Sequence, residues 1–326
     1  MEFLSRIDDL PELHDCVVTL GSFDGLHYGH KHLIRQVQDR AAAREVPAVL
    51  ITFHPHPKEV LLRNREIPVE LLTTTDEKKA ILRREFDLDY VLVLPFTVEF
   101  SQIPARQFLE QFLIEPFDPS EIVIGYDHTF GKSREGDEAF LRQHEGEFGY
   151  QTIRVDPIGL QDEAPVSSSG IRTLIAEGDM LRAARYLTRP YMVTGKVVRG
   201  ERRGHDLNFP TANIQPENHN KLIPRDGVYL VYVTDGIAPS YGMCNVGYRP
   251  TFPDHQHVIE VNLFELGNVR LYGYTLHVHF FHYLREEKKF QSPDDLAAQL
   301  ASDKEQCAAL IAEQDPWKQY QKELVV

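Results

Sequence analysis

Short apolar runs alternate with amphipathic segments through the first half of the chain. The apolar runs lie at residues 16–20, 47–53, 90–94 and 121–124. Segments with helical periodicity separate them, at residues 30–43, 75–86 and 105–113. Strands that are apolar on both faces are typical of a parallel sheet covered by helices on each side. The first half is therefore predicted to be a doubly wound α/β domain.

The hydrophobic period changes after about residue 187. Alternation of apolar and polar residues, as in half-buried strands, appears at residues 192–198, 227–233, 242–246, 257–264 and 276–283. Turn residues separate these segments. A helix capped by Ser292, with Pro293 at its first position, is predicted to run towards residue 312. The pattern predicts a small antiparallel β barrel with a terminal helix, and domains at residues 1–187 and 188–326.

Composition narrows the class of protein. The chain has 326 residues and a formal charge of −14, which argues against a nucleic-acid partner because such proteins present basic surfaces. Its three cysteines are scattered and outside any CxxC spacing, which favours a reducing compartment. No apolar run approaches the ~20 residues of a membrane helix. We expect a cytoplasmic enzyme with no membrane partner.

One glycine-rich segment, GSFDGLHYGH, occupies residues 21–30 between a predicted strand and a predicted helix. Ligands of open α/β sheets bind at the carboxyl ends of the strands, and a helix N-terminus offers N–H groups to phosphate. Gly21 and Gly29 allow close approach of the backbone. His27 and His30 can donate hydrogen bonds as charge develops on a phosphate. The segment lacks the Gly-Lys-Ser/Thr ending of a P-loop and predicts a nucleotide site of another kind.

Two other interpretations of these histidines stay open. Together with His54 and His56 they could form a zinc site, although the prolines in HPHP hold that segment extended. Alternatively, the glycines could form an ordinary turn that leaves the histidines on the surface.

Two later segments are predicted to join this site. GYDHTFGKSREGD, at residues 125–137, follows the fourth strand and so begins at the same edge of the sheet. SSSGIR, at residues 167–172, places the hydroxyls of Ser168 and Ser169 at a helix start and Arg172 one turn further on. Arginine can bind phosphates with two parallel hydrogen bonds. An ordinary serine cap beside a solvated arginine is the alternative.

The second half carries a separate set of polar residues. The glycine- and arginine-rich stretch from Gly195 to Gly204 suits a flap over phosphates. Thr211 and Asn213 are oxygen donors on one face of a strand, compatible with Mg²⁺. Glu260, in an alternating segment, could accept the proton of a substrate hydroxyl. The alternatives are a plain turn at residues 210–213 and a solvated glutamate on a strand.

In this order the motifs GSFDGLHYGH, TFHPHP, GYDHTFGKSREGD and SSSGIR resemble the adenylyltransferase half of bacterial bifunctional riboflavin kinase/FAD synthetases. The second half, with PTAN, NVGYRPT, Glu-Val, LYG and LRE, resembles the riboflavin kinase module. The resemblance covers nearly the whole chain. It implies phosphorylation of riboflavin to FMN and adenylylation of FMN to FAD, with ATP as co-substrate and Mg²⁺ as cofactor.

The resemblance also implies roles for individual residues. Catalytic roles fall on His27, His30, Arg172 and Glu260. Contacts with ATP or its phosphates are implied at Gly21, Phe23, Gly29, Ser168, Ser169, Gly195, Gly204 and Thr211. Flavin contacts are implied at Phe53, His56, Asp127 and Arg285. Thr211 and Asn213 are the implied Mg²⁺ ligands.

Four positions depart from the family pattern. Ser169 stands where threonine is usual, and it keeps the hydroxyl. His128 stands where phenylalanine is common, and we assign it no role. Asn208 replaces a glycine before Phe-Pro-Thr, and asparagine still tolerates a positive φ. Asn262 replaces the histidine of Glu-Val-His.

Three rival functions are consistent with parts of the chain. Only one of the two sites could be active, or the protein could sense flavins without turnover. An adenylyltransferase acting on nicotinate mononucleotide or pantetheine phosphate would share only the first and last N-terminal motifs. The presence of both histidines together with Arg172, Thr211, Asn213 and Glu260 favours the enzyme with two activities.

Overall fold

The computed structural model describes residues 1–63, 68–160, 164–198, 211–235, 238–248, 257–264 and 271–323. The chain separates into two compact units, Met1–Ser168 and Ser169–Val326. The boundary predicted between residues 187 and 188 lies inside the second unit. Gly204 and Asn208, singled out in the sequence, lie outside the described residues.

The first unit is built on a six-stranded parallel sheet with the order β1-β4-β3-β2-β5-β6. Its strands are β1 Glu2–Leu4, β2 Val17–Leu20, β3 Ala48–His54, β4 Tyr90–Pro95, β5 Glu121–Gly125 and β6 Gln151–Val155. The chain builds outward from β2 through β3 to β4, then crosses to β5 on the other side of β2. Such a reversal makes a crevice at the carboxyl ends of the two strands on either side of it, here β2 and β5. The segments that follow β2 and β5 therefore begin side by side.

Helices connect these strands. They are α1 Tyr28–Arg44, α2 Pro57–Leu61, α3 Thr75–Glu85, α4 Ala105–Leu109, α5 Glu115–Phe117 and α6 Glu138–Phe148, with a π-helical turn at Glu110–Ile114 between α4 and α5. One apolar cluster includes Phe108 and Phe117, and a second includes Ile34 and Leu82. All four residues of β2 are buried. The predicted doubly wound α/β fold is confirmed.

The second unit contains a closed six-stranded antiparallel barrel with the order β10-β11-β8-β7-β12-β9. Its strands are β7 Tyr191–Val198, β8 Ala212–Pro216, β9 Gly227–Thr234, β10 Ser240–Tyr248, β11 His257–Leu263 and β12 Thr275–Arg285. Its helices are α7 Ser168–Glu177, α8 Met180–Leu187, α9 Pro293–Gln314 and α10 Pro316–Glu323. The predicted barrel with a terminal helix is confirmed.

Helices cover parts of the barrel surface. Helix α8 packs on β7 and β12, and its Met180, Ala183 and Leu187 are buried. Cys307 of α9 packs with Met243 of β10 in a separate apolar cluster. No helix in the described part of the chain is long and apolar enough to cross a membrane.

Candidate active sites

The loop between β2 and α1 has an unusual backbone. Phe23, Gly25 and Leu26 have φ values of 46°, 84° and 40°, in the left-handed region. Phe23 and Leu26 are not glycines, and each such residue costs ~1–3 kcal/mol unless the surroundings impose it. Both side chains are buried. The loop is therefore held in a conformation that it would not adopt alone, as is common at functional sites.

Asp24 is the main anchor of this loop. Its carboxylate accepts hydrogen bonds from the backbone N–H groups of Leu72 and Thr73, each 3.0 Å away, and from the Thr73 hydroxyl at 3.3 Å. The Gly25 N–H donates to the same Thr73 hydroxyl at 3.0 Å. On the other side, the Ser168 hydroxyl donates to the Asp24 carbonyl at 2.9 Å. Ser168, predicted to bind phosphate, therefore stabilises the glycine-rich loop through this hydrogen bond.

His27 and His30 come together at the start of α1. The Nδ1 atom of His27 accepts a hydrogen bond from the His30 N–H at 3.4 Å, so His27 is the N-cap of the helix. The two rings stack with centroids 3.7 Å apart and planes 17° apart. Because Nδ1 of His27 is an acceptor, the neutral ring carries its proton on Nε2. That N–H is a suitable donor to an anionic oxygen.

Backbone donors accompany these rings. Among the described residues, the N–H groups of Phe23, Tyr28 and Gly29 have no hydrogen-bond partner. The last two belong to the first turn of α1, where the helix dipole favours an anion. Gly21 lies under the Phe23 ring, and a Cβ atom there would come within 3.2 Å of it. The segment therefore has the donors and the close packing expected of a phosphate site.

The residues predicted to contact flavin follow β3 and β5. Phe53, near the end of β3, packs against Phe96 and Phe100 at centroid distances of 5.7 and 5.9 Å. His56 is the N-cap of α2, with its Nδ1 accepting from the Lys58 N–H at 3.1 Å. Asp127, just after β5, is exposed. These segments share the carboxyl edge of the sheet with the glycine-rich loop.

His128 lies in the same region as an uncharged ring. It stacks on Phe130 with centroids 5.9 Å apart and planes 25° apart. Burial lowers the pKa of His128 to about 4, so the imidazole is neutral near pH 7. Its Nε2 has no hydrogen-bond partner within the described residues.

The zinc interpretation gains no support from the geometry. Nδ1 of His54 lies 2.7 Å from the Thr75 hydroxyl, and Nδ1 of His56 caps α2. In the described ranges, no group of three or more histidine, cysteine, aspartate and glutamate residues could hold a metal ion.

In the second unit, three polar residues form a row across adjacent strands. Glu260 of β11 is paired in register with Asn213 of β8 on one side and with Asn245 of β10 on the other. Directly paired residues of antiparallel strands extend from the same face. The flanking Ile259 and Val261 are buried, so they occupy the opposite face. The residues predicted as general base and metal ligand are therefore neighbours.

A further carboxylate extends this row. The Asn245 amide donates to Oε1 of Glu287 at 3.0 Å. Glu287 lies so close to Gly247 that a Cβ atom there would come within 1.9 Å of it. Thr211, immediately before β8, is exposed. Glu286, the last residue of the LRE motif, instead pairs with Arg225 at 2.5 Å.

Four other predicted residues have local environments that the sequence did not reveal. Gly195 of β7 has no room for a side chain, because a Cβ atom would lie 2.5 Å from the Ile214 side chain and 2.6 Å from the Gln215 carbonyl. Arg285 forms a buried ion pair with Asp303 of α9 at 2.7 Å. Ser169 and Arg172 lie in the first turns of α7. Their predicted ligand contacts stay predictions.

Comparisons with known proteins match the two halves of the chain to two different families. Residues 9–170 match the FAD synthetase family and residues 187–311 match the riboflavin kinase family. The bifunctional riboflavin kinase/FMN adenylyltransferase of Bacillus subtilis (strain 168) is 33% identical over 294 residues, which are 89% of this chain and 90% of that protein. The protein of the same name from Escherichia coli (strain K12) is 32% identical, over 88% of this chain and 90% of its own length.

The chain belongs to the bifunctional riboflavin kinase/FMN adenylyltransferase family. A crystal structure titled as a macrolide-efflux protein from Streptococcus pneumoniae is also similar, with a TM-score of 0.82 and 31% identity. The match covers 93% of this chain and 97% of that one. The family predicted from the motifs is confirmed, and so is the prediction of one enzyme with both activities.

As a member of the riboflavin kinase/FMN adenylyltransferase family, the chain carries two nucleotide-dependent reactions in two different folds. The residues that the sequence did not single out are Asp24, Thr73, Lys78 and Glu287. Asp24 lies within the glycine-rich loop, Thr73 and Lys78 form hydrogen bonds with that loop, and Glu287 accepts a hydrogen bond from Asn245. One local signal was available for Lys78. The segment TTDE, at residues 74–77 immediately before it, has the pattern of a helix cap.

Proposed function

We propose that the β2–α1 loop is the FMN adenylylation site and that the polar row on the barrel is the riboflavin phosphorylation site. The first proposal is supported chiefly by the stacked pair of His27 and His30 at a helix start that also presents unpaired N–H groups. The second is supported chiefly by the register of Asn213 and Glu260. ATP is the co-substrate at both sites, and Mg²⁺ is the proposed metal.

At the first site, a phosphate oxygen of FMN attacks the α-phosphorus of ATP. The new bond is O–Pα, the bond to the β-phosphate bridging oxygen breaks, and pyrophosphate leaves. No proton transfer to a protein base is required, so the protein acts by positioning and by stabilising charge. The Nε2–H of His27 donates to the α-phosphate oxygens, and the Phe23 N–H adds a fixed donor. His30 is proposed to donate to the α-phosphate as well, and Ser169 and Arg172 are proposed as contacts to other phosphate oxygens.

At the second site, a riboflavin hydroxyl oxygen attacks the γ-phosphorus of ATP. The new bond is O–Pγ, ADP leaves, and the hydroxyl proton passes to the Glu260 carboxylate. Asn213 and Thr211 supply amide and hydroxyl oxygens, and oxygen donors of this kind fit Mg²⁺ when phosphates complete the coordination. When bound, Mg²⁺ neutralises phosphate charge. Glu260 is paired directly with Asn213, and we propose that it orients the hydroxyl beside such a site.

The flavin residues and the compartment are part of the same proposal. Phe53, His56 and Asp127 are proposed to contact FMN at the sheet edge, and Arg285 to act beside riboflavin. A cytoplasmic location is supported by the three cysteines, which are all free, whereas proteins of oxidising compartments usually pair their cysteines in disulfides.

A single incubation tests this assignment of function. The full chain with riboflavin, ATP and Mg²⁺ is expected to form FMN, FAD, ADP and pyrophosphate, which chromatography separates. ADP follows phosphorylation and pyrophosphate follows adenylylation, so each reaction is counted independently. Chelation of Mg²⁺ is expected to stop both. Formation of FMN without release of pyrophosphate would mean that only the barrel is active and that the adenylylation proposal is wrong.

The functional domains are proposed to be residues 1–187 and 188–326, and two fragments test them. Both the fragment 169–326 and the shorter fragment 188–326 are expected to make FMN and no FAD. The shorter fragment lacks α8 and loses the burial of Met180 and Leu187. Each such side chain contributes ~1.5–3 kcal/mol when fully buried, so the shorter fragment is expected to melt at a lower temperature.

Enzyme assays and thermal unfolding of the two fragments decide the outcome. If the longer fragment is folded but makes no FMN, the barrel is not a self-contained kinase. If only the shorter one is inactive, α8 is part of the kinase domain and the boundary lies before residue 180.

A further inference from the structure

Lys78 is a buried cation behind the adenylylation loop, and no predicted role accounts for it. Lys78 is only 4% exposed. Its Nζ donates to the Ser22 carbonyl at 2.5 Å and to the Thr52 hydroxyl at 3.1 Å. The Thr52 hydroxyl lies 3.4 Å from the same carbonyl. One backbone carbonyl of the glycine-rich loop is thus held by two side chains.

The position of Lys78 is unfavourable for stability. Lys78 lies in the first turn of α3, where the helix dipole repels a cation. Burial lowers the pKa of Lys78 to about 8, and the nearby carboxylates of Asp24 and Glu59 only partly offset this effect. A lysine in such surroundings is a candidate for a functional role.

Lys78 controls the direction of one peptide group. The Ser22–Phe23 peptide is trans, because the only cis peptide bond in the described residues is His54–Pro55. In a trans peptide the C=O and the N–H point in opposite directions. With the Ser22 carbonyl held by Lys78, the Phe23 N–H faces away from it, and this N–H has no protein partner within the described part of the chain.

Lys78 is itself rigidly placed. Thr74 and Glu77 form a capping box at the start of α3, with the Glu77 N–H donating to the Thr74 hydroxyl at 3.2 Å and the Thr74 N–H donating to the Glu77 carboxylate at 3.0 Å. Thr73, directly before them, binds Asp24 of the loop. Residues 73–78 therefore hold the glycine-rich loop at both Ser22 and Asp24.

We infer that Lys78 is a positioning residue for FMN adenylylation, holding the Ser22–Phe23 peptide so that the Phe23 N–H donates to the triphosphate of ATP. The inference rests on the proposed location of the adenylylation site in the β2–α1 loop. The ammonium group does not touch the reacting atoms in this proposal. It acts through the peptide, and its charge strengthens the hydrogen bond to the carbonyl.

The substitution Lys78→Met tests the inference, because methionine keeps the length of the side chain and removes its charge and donors. We expect kcat/KM for FAD formation from FMN to fall ~10–100-fold, somewhat less than the ~10²–10³-fold loss for removing a transition-state donor outright. Riboflavin phosphorylation by the same preparation is expected to stay within about twofold. Lys79→Met, one residue further along the same helix, is the matched control and is expected to leave both activities unchanged.

The pH dependence separates positioning from general packing. Asp24 and Glu59 are the charged groups that face Lys78 and keep it protonated below its pKa of about 8. Adenylylation by the native protein is therefore expected to decline as the pH rises through about 8, and the Lys78→Met variant is expected to lack that decline. A merely structural role would lower adenylylation at every pH and would leave the alkaline decline in place.

Three results would overturn the inference: normal adenylylation by Lys78→Met, an equal loss of phosphorylation, or an alkaline decline that persists in the variant. Variants of His27 show whether the role of Lys78 or the location of the adenylylation site is wrong. If His27 variants lose adenylylation while Lys78→Met does not, the site stands and only the role of Lys78 is wrong. If neither substitution lowers adenylylation, the location of the site is wrong.

Discussion

Replacing Glu260 with glutamine is expected to lower riboflavin phosphorylation ~10²–10⁴-fold, the usual contribution of a general base. Glutamine keeps the shape of the side chain and its place between Asn213 and Asn245, but it cannot accept the hydroxyl proton. Riboflavin binding, followed by flavin fluorescence, is expected to change little. The rate of FMN formation at saturating riboflavin and ATP is the deciding measurement.

Two controls accompany this variant. FAD formation from added FMN is expected to be unaffected, since that reaction belongs to the other fold. Glu217→Gln makes the same change at an exposed residue just after β8 and is expected to leave phosphorylation intact. Near-normal FMN formation by Glu260→Gln would mean that Glu260 is not the base and that another group, such as Glu287 beside Asn245, accepts the proton.

Substitution of His27 or His30 is expected to reduce FAD formation ~10²–10³-fold and to spare FMN formation, because each removes one donor to the charge that develops on the α-phosphate. His27→Ala also removes the cap of α1, which alone costs ~1 kcal/mol of stability. His27→Asn separates the two effects. Asparagine is a good helix cap, so this variant is expected to be stable and still deficient in adenylylation.

His32→Ala is the matched control for these histidines, since His32 lies on the same helix. Pyrophosphate release measures adenylylation, and ADP release measures phosphorylation. Wild-type FAD formation by both His27→Asn and His30→Ala would contradict the phosphate role of the pair. Unchanged activity in His32→Ala together with loss in the other two would locate the effect at the start of α1.

The central strands and the main helices were predictable because their signals are local. The strand predicted at residues 90–94 is observed at Tyr90–Pro95, and the terminal helix begins at Pro293 as its cap indicated. The edge strands were missed. Glu2–Leu4 is only three residues long, and Gln151–Val155 contains exposed polar positions, so neither has the continuous apolar run of a central strand.

The candidate sites were predictable only in part, for a related reason. The residues that carry the proposed chemistry belong to recognisable motifs, whereas the residues that hold them depend on tertiary contacts. Lys78 reaches Ser22 and Thr52, which lie 56 and 26 positions earlier in the chain. Likewise, the pairing of Arg285 with Asp303 depends on where α9 lies on the barrel. No periodicity or spacing encodes such contacts.

The three buried cysteines can report when each half of this enzyme unfolds. Cys16 lies in the first unit, while Cys244 and Cys307 lie in the second, and all three are inaccessible to solvent. Burial raises the pKa of Cys307 to about 12 and also raises those of Cys16 and Cys244, so almost no reactive thiolate exists in the folded state. An alkylating reagent can modify each thiol only during local or global unfolding. Mass spectrometry of partly alkylated protein would therefore time the unfolding of each half separately, and would show which half a bound nucleotide or flavin protects.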